Sequence, residues 1–210
     1  MKIILVGGTM ESNFALSYVA DVISKIEPEA DVSVYTYGFA MQHKHEINQI
    51  IKDNVLITHS TGAMVIERGA HPSKVVFIAP SQPVARWRIV YRATIKTLFH
   101  SWKILTFKDR SKVVRIIFSN ITELFVHPLR NIGPFVRGDV SKFDLRKVLP
   151  RHPAGGSARI VISKRDEMFR SDENRMEDLA EHGVEVVHVD AMHDEIFIDT
   201  DTIIRTALKK

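Results

Sequence analysis

The run Val55-Leu56-Ile57-Thr58-His59-Ser60-Thr61-Gly62-Ala63-Met64 decides how this chain folds. An apolar, β-prone stretch ends in small residues around a serine, and a helix-compatible stretch follows. A strand turning sharply into a helix needs little bulk on either side of the residue at the tip. Such a turn holds one hydroxyl out from the sheet and sets free backbone N–H groups behind it. Ser60 is therefore a candidate nucleophile, and Val55–Ile57 a buried strand.

The same alternation extends outward in both directions. Lys2–Val6 is a short apolar run closed by Gly7-Gly8 and reads as the first strand. Ser12 can cap a helix running to about Ile26, where Pro28 stops it. Asp31–Tyr37 reads as the second strand, followed by a helix from about Ala40 to Lys52. Behind Ser60 the pattern predicts a helix to Arg68, then strands over Lys74–Ile78, Ala158–Ser163 and Val184–Val189. Helices are expected over Asp172–Glu181 and Glu195–Leu208. Strands apolar on both faces, alternating with helices, predict a doubly wound α/β architecture with a mainly parallel six-stranded sheet.

Residues 81–150 break this rhythm. They hold fourteen Lys/Arg against four Asp/Glu, leaving fifteen basic and twenty-one acidic residues for the rest of the chain. Trp87, Phe99, Trp102 and further apolar residues recur among the charges at roughly helical spacing. The segment reads as a helical lid inserted between strands four and five, within one domain spanning 1–210. Trp87, Phe99 and Trp102 are candidates to line an apolar pocket beneath it. Its charge also suits an anionic or lipid-like surface, although its Phe and Trp content favours an acyl pocket over a nucleic-acid groove.

Composition narrows the chemistry. The 210 residues, 45% apolar, suffice for one sizeable core. With no cysteine, disulfides, thiolate catalysis and cysteine-ligated zinc are excluded. No apolar run approaches the roughly 20 residues that span a bilayer, and no signal peptide is evident, so a soluble, cytoplasmic protein is expected. No cofactor and no metal is expected. His43 and His45 diverge on a predicted helix, and Gly7-Gly8-Thr9 lacks the lysine and length of a phosphate loop.

A serine hydroxyl needs a base, usually a histidine oriented by a carboxylate. Asp166 lies just beyond strand five and His193 just beyond strand six. In a parallel sheet the loops after the strands share one edge, which would gather Ser60, Asp166 and His193. Asp190, also at a strand end, is a rival for the acid. Asp194 and Glu167 are weaker ones. His59 is expected to pack away from the serine.

The order Ser…Asp…His, each after a strand, resembles the α/β-hydrolase family. Leu5-Val6-Gly7-Gly8-Thr9-Met10-Glu11-Ser12 is similar to its oxyanion loop. The resemblance covers most of 1–80 and 158–210, with the first two strands of the family sheet missing and the lid in the family's variable position. It implies a strand order 2-1-3-4-5-6. It also implies a triad of Ser60, His193 and Asp166, with backbone N–H groups of Thr9 and Thr61 as oxyanion donors. The expected activity is hydrolysis of a small-molecule ester or thioester through an acyl-serine. Two positions depart from the pattern: Thr58 stands where the family usually has glycine, and Gly7 where a histidine is common. The sequence leaves open an acyltransferase or C–C hydrolase with the same triad, and a non-enzymatic binding protein using the basic insertion.

Overall fold

The computed structural model describes residues 1–67, 69–70, 72–80, 110–149, 157–165, 179, 183–191 and 193–209. Its strands are β1 (Lys2–Val6), β2 (Asp31–Tyr35), β3 (Val55–His59), β4 (Lys74–Ile78), β5 (Ser157–Ser163) and β6 (Val184–Val189). All five pairings are parallel, and the strands lie in the order β2-β1-β3-β4-β5-β6, as the resemblance implied. The expected strand bounds hold to within two residues.

Alternate side chains of these strands enter two separate cores. On one face Ile3, Leu5, Ile57, Val76, Ile78 and Val161 pack against helix α1 (Asn13–Ile26) and the last helix, α7 (Thr200–Leu208). On the other face Ile4, Val6, Leu56, Val75, Phe77, Ile160 and Ile162 pack against α2 (Tyr37–Gln42), α3 (Lys44–Ile51) and the turn after β3. The inner strands are apolar at most positions because both faces are covered. Each such aliphatic side chain contributes about 1.5–3 kcal/mol relative to exposure. The edge strands β2 and β6 are only partly buried.

Three helical expectations are corrected. The segment expected as one helix over 40–52 is two, α2 and α3, meeting at His43, which ends one and begins the next. The stretch after Ser60 is a 3-10 helix over Ser60–Val65, not an α-helix to Arg68. The last helix divides into a 3-10 turn over His193–Phe197 and α7. Of the helix expected at 172–181, only Leu179 lies within the described residues. Between β4 and β5 the chain forms α4 (Arg110–Val126), α5 (Pro128–Arg137), α6 (Asp139–Lys142) and a 3-10 turn over Leu145–Lys147. Residues 81–109, with Trp87, Phe99 and Trp102, lie outside the described part.

The chain steps from β1 outward to β2, then crosses back to β3 on β1's other side. The carboxyl ends of β1 and β3 therefore flank the place where strand order reverses, where open α/β sheets form a crevice.

Candidate active site

Ser60 follows the last residue of β3 with φ at +52°. A non-glycine residue in the left-handed region stores roughly 1–3 kcal/mol of strain, held by surrounding structure. Gly62 supplies part of that hold. A Cβ there would stand 2.5 Å from the Val6 carbonyl oxygen and 2.7 Å from that of Gly7, so the turn lies directly on the end of β1. Thr58 is fully buried in β3. The strand accommodates threonine two residues before the serine.

His193 begins the 3-10 turn after β6, and its Nε2 lies 2.9 Å from Ser60 Oγ. The serine hydroxyl donates to Nε2 when the ring carries its proton on Nδ1. Both residues are buried. The segment that leads from β6 to His193 is bonded to the end of β5. Lys164 N–H donates to Val189 O at 2.9 Å, and Arg165 N–H to Ala191 O at 3.0 Å.

Asp166, the next residue, lies outside the described residues. Its rival Asp190 pairs through Oδ1 with Arg165 Nε at 2.9 Å, and its side chain is 77% exposed. That carboxylate is directed to solvent rather than to the buried imidazole.

The loop after β1 is tightly bonded. Gly7 N–H donates to Tyr35 O, Gly8 N–H to Glu11 Oε2 at 2.7 Å and Thr9 N–H to Thr61 Oγ1 at 2.7 Å. Met10 N–H donates to Asn131 Oδ1 at 2.8 Å and Ser12 N–H to Asn120 Oδ1 at 3.0 Å. The two loops expected to supply oxyanion donors are thus adjacent, and Thr9 and Thr61 are joined. Met10, with φ at +68°, is held by a helix inserted between β4 and β5.

Sequence reasoning missed the partners of His59. Its ring is buried, and Nδ1 shares a hydrogen bond with Glu11 Oε1. Its Nε2 donates to the backbone carbonyl of His193 at 3.0 Å. The ring also packs edge-on against Phe197. A lone carboxylate in an otherwise uncharged glycine-rich loop was the available signal, since a buried acid demands a partner.

Two titratable groups flank the turn after Ser60. Tyr37 packs with Met64 and Val140, and its phenol is pushed up to about 12 by burial, with Asp139 adding and Arg137 opposing. Lys44 donates to Met64 O at 2.9 Å, and burial holds its ammonium below the usual lysine range, with Glu67 opposing. Among the described residues, no group of three or more His, Asp or Glu could hold a metal. His43 instead pairs with Glu46, and His45 with Gln49. No helix among those residues is long and apolar enough to cross a membrane.

No protein-family model and no curated protein sequence matches the chain. Solved structures do. A hydrolase from Pseudomonas aeruginosa superposes with a TM-score of 0.65 at 12% identity, covering 100% of this chain and 90% of that one. An N-formylmaleamic acid deformylase from Pseudomonas putida gives 0.65 at 14% identity, covering 99% and 91%. The enol-lactonase from Burkholderia xenovorans gives 0.61 at 15% identity, covering 98% and 88%. With its parallel order 2-1-3-4-5-6 and a buried serine–histidine pair at the sheet's carboxyl edge, the chain has the α/β-hydrolase fold.

Proposed function

We propose that this protein is a serine hydrolase cleaving a carboxylic ester or thioester through an acyl-serine. One observation carries the reading: a serine in left-handed backbone at the end of β3, with its hydroxyl 2.9 Å from an imidazole nitrogen. Strain of this kind concentrates at functional sites, and a helix cap needs neither the strain nor the histidine.

In the proposed reaction Ser60 Oγ attacks the carbonyl carbon as His193 Nε2 takes its proton. The tetrahedral intermediate collapses, the bond to the leaving group breaks, and His193 returns the proton to that group. Water, deprotonated by the same imidazole, then attacks the acyl-serine and releases the acid and Ser60. Asp166 is assigned to orient His193. The hydrogen bond from Arg165, its neighbour in sequence, to Ala191 O supports that choice, as does the diversion of Asp190 to Arg165.

The oxyanion falls to the backbone N–H groups of Thr61 and Thr9. Each donor of this kind stabilises the transition state by about 3–4 kcal/mol. Thr9 N–H donates to Thr61 Oγ1 in this structure, so the oxyanion takes the place of that hydroxyl. Residues 81–150 are assigned as a lid, with Trp87, Phe99 and Trp102 lining the acyl pocket. The enol-lactonase and deformylase of the same fold are hydrolytic by name, consistent with the class but not with any one substrate.

The test is Ser60→Ala with a panel of p-nitrophenyl esters of increasing chain length and a fluorophosphonate probe. Turnover and the covalent adduct at Ser60 are both lost in the variant while the fold persists. Parental activity in the variant rejects the assignment.

A second reading concerns a surface rather than the reaction. Phe118, Phe125, Leu129 and Val136 on α4 and α5 are 71%, 77%, 84% and 65% exposed. Arg115, Arg130 and Arg137 lie on the same two helices. Apolar residues beside cations favour contact with an anionic lipid surface. Co-sedimentation with phosphatidylserine vesicles, weakened by Phe125→Ser together with Leu129→Ser, tests it. Equal sedimentation of parent and variant refutes it.

A further inference from the structure

Glu11 and His59 are buried, come from the loop after β1 and the end of β3, and have no part in the proton transfers above. Glu11 stands three residues beyond Gly8 in the loop after β1, and His59 ends β3. Pairing of β1 with β3 brings them together across 48 residues of sequence. The glycines before Glu11 make room for its carboxylate. A Cβ on Gly7 would meet Glu11 Oε2 at 2.8 Å, and one on Gly8 would meet Oε1 at 2.8 Å.

The hydrogen-bond chemistry fixes the proton count. The His193 carbonyl only accepts, so His59 Nε2 must carry a proton. His59 Nδ1 faces Glu11 Oε1, and that contact holds one further proton. Wherever it sits between them, the pair is neutral overall, which is how two ionisable groups avoid the cost of isolated burial. The second carboxylate oxygen accepts from Gly8 N–H at 2.7 Å.

We propose that Glu11 and His59 form a positioning dyad for the chemistry of Ser60. Glu11 orients His59 so that Nε2–H holds the His193 backbone. That contact sets the height of the catalytic imidazole over the serine hydroxyl. The other oxygen of Glu11 fixes Gly8, and with it the loop carrying Thr9. One buried carboxylate thereby registers the base and the oxyanion loop against the serine turn. The proposal rests on the serine-hydrolase reading.

The chemistry makes an unusual demand on substitutions. Glutamine can replace Glu11 without loss, because its amide donates to His59 Nδ1 while its carbonyl still accepts from Gly8. Leucine can do neither. The expected result is that Glu11→Leu and His59→Phe lower kcat about 10–100-fold with KM within about threefold, whereas Glu11→Gln stays near the parent. Fluorophosphonate labelling of Ser60 falls in the same order. A Glu11→Gln variant as impaired as Glu11→Leu, or a Glu11→Leu variant at parental kcat, overturns the dyad.

Histidine-selective nitrogen-15 spectra of the unsubstituted protein supply a readout that needs neither turnover nor a variant. His59 Nε2 is expected to be protonated, with a second proton held between Nδ1 and Glu11. An unprotonated Nε2 overturns the proposal even if the variants fail to fold. Absence of Ser60 labelling in the unsubstituted protein, with these resonances present, would instead reject the hydrolase reading.

Discussion

Gly62 and Val6 are in backbone contact: a Cβ placed on Gly62 would lie 2.5 Å from the Val6 carbonyl oxygen. Backbone at the end of a central strand cannot step aside as a flexible side chain can. Gly62→Ala therefore pushes the turn off β1 and moves Ser60 away from His193. Overpacking of this kind costs about 1–3 kcal/mol. The expected outcome is a lowered urea midpoint with a larger proportional loss of Ser60 labelling. Unchanged labelling would show that the turn does not depend on this contact.

The limits of the sequence reading follow from the range of the forces involved. Strand positions were legible because burial on both faces forces continuous apolar runs, as in Val75–Ile78. Strand order came only through the resemblance. The break at His43 was not legible: it contains neither proline nor glycine, and one histidine both ends α2 and begins α3. The 3-10 helix after Ser60 is set by the approach of Gly62 to β1, a contact between distant segments. Ser60 and His193 could be paired by reasoning because both follow parallel strands. Glu11 and His59 could not: the carboxylate signals a need for a partner, but nothing names His59 as that partner until β1 and β3 are adjacent. The positions of Asp166, Trp87, Phe99 and Trp102 fall outside the described residues.

Tyr37 gives a pH prediction with a definite sign. Its phenol keeps its proton up to about 12 in the folded protein, against 10.0 ordinarily. Between those values the unfolded chain has released the proton and the folded chain has not. Stability from this group is thus complete below pH 10.0 and lost as pH rises toward 12. The loss is about 2–3 kcal/mol over that window. The stability of the parent in urea unfolding between about pH 9 and 12 is expected to fall more steeply than that of Tyr37→Phe. Parallel curves would refute the role of burial.

Arg159 separates stability from the candidate site. It sits near the start of β5, buried, and donates to Thr206 O and Ala207 O at 3.1 Å each. Those carbonyls belong to the last turn of α7, where helix acceptors lack partners within the helix. Arg159 Nε also donates to Glu185 Oε2 at 2.7 Å, but the Glu185 side chain is 57% exposed. Arg159→Leu is expected to cost about 2–4 kcal/mol by orphaning the carbonyls. Glu185→Gln should cost less than about 1 kcal/mol, because solvent screens that pair. Both should leave Ser60 labelling at the parental rate in the folded protein. Equal destabilisation by the two substitutions would mean the ion pair, not the helix end, is what Arg159 serves.

Asn131 couples the insertion to the loop beside Ser60. It is 3% exposed on α5, and Oδ1 accepts from Met10 N–H at 2.8 Å. Its amide nitrogen donates to Glu123 O at 3.1 Å and His127 O at 3.0 Å, pinning the α4–α5 corner. Met10 holds φ at +68°, and its neighbour Thr9 is a proposed oxyanion donor. Asn131→Leu leaves a strained N–H and two carbonyls without this partner, at about 1–3 kcal/mol in stability. It should also slow labelling of Ser60 by about tenfold, because small displacements of a reacting geometry are expensive. Asn120→Ala is the matched control: Asn120 bonds Ser12, which already caps α1, so stability falls while the loop keeps its shape. If Asn120→Ala slows labelling as much as Asn131→Leu, the effect comes from general loosening of the insertion, and the specific link through Met10 fails.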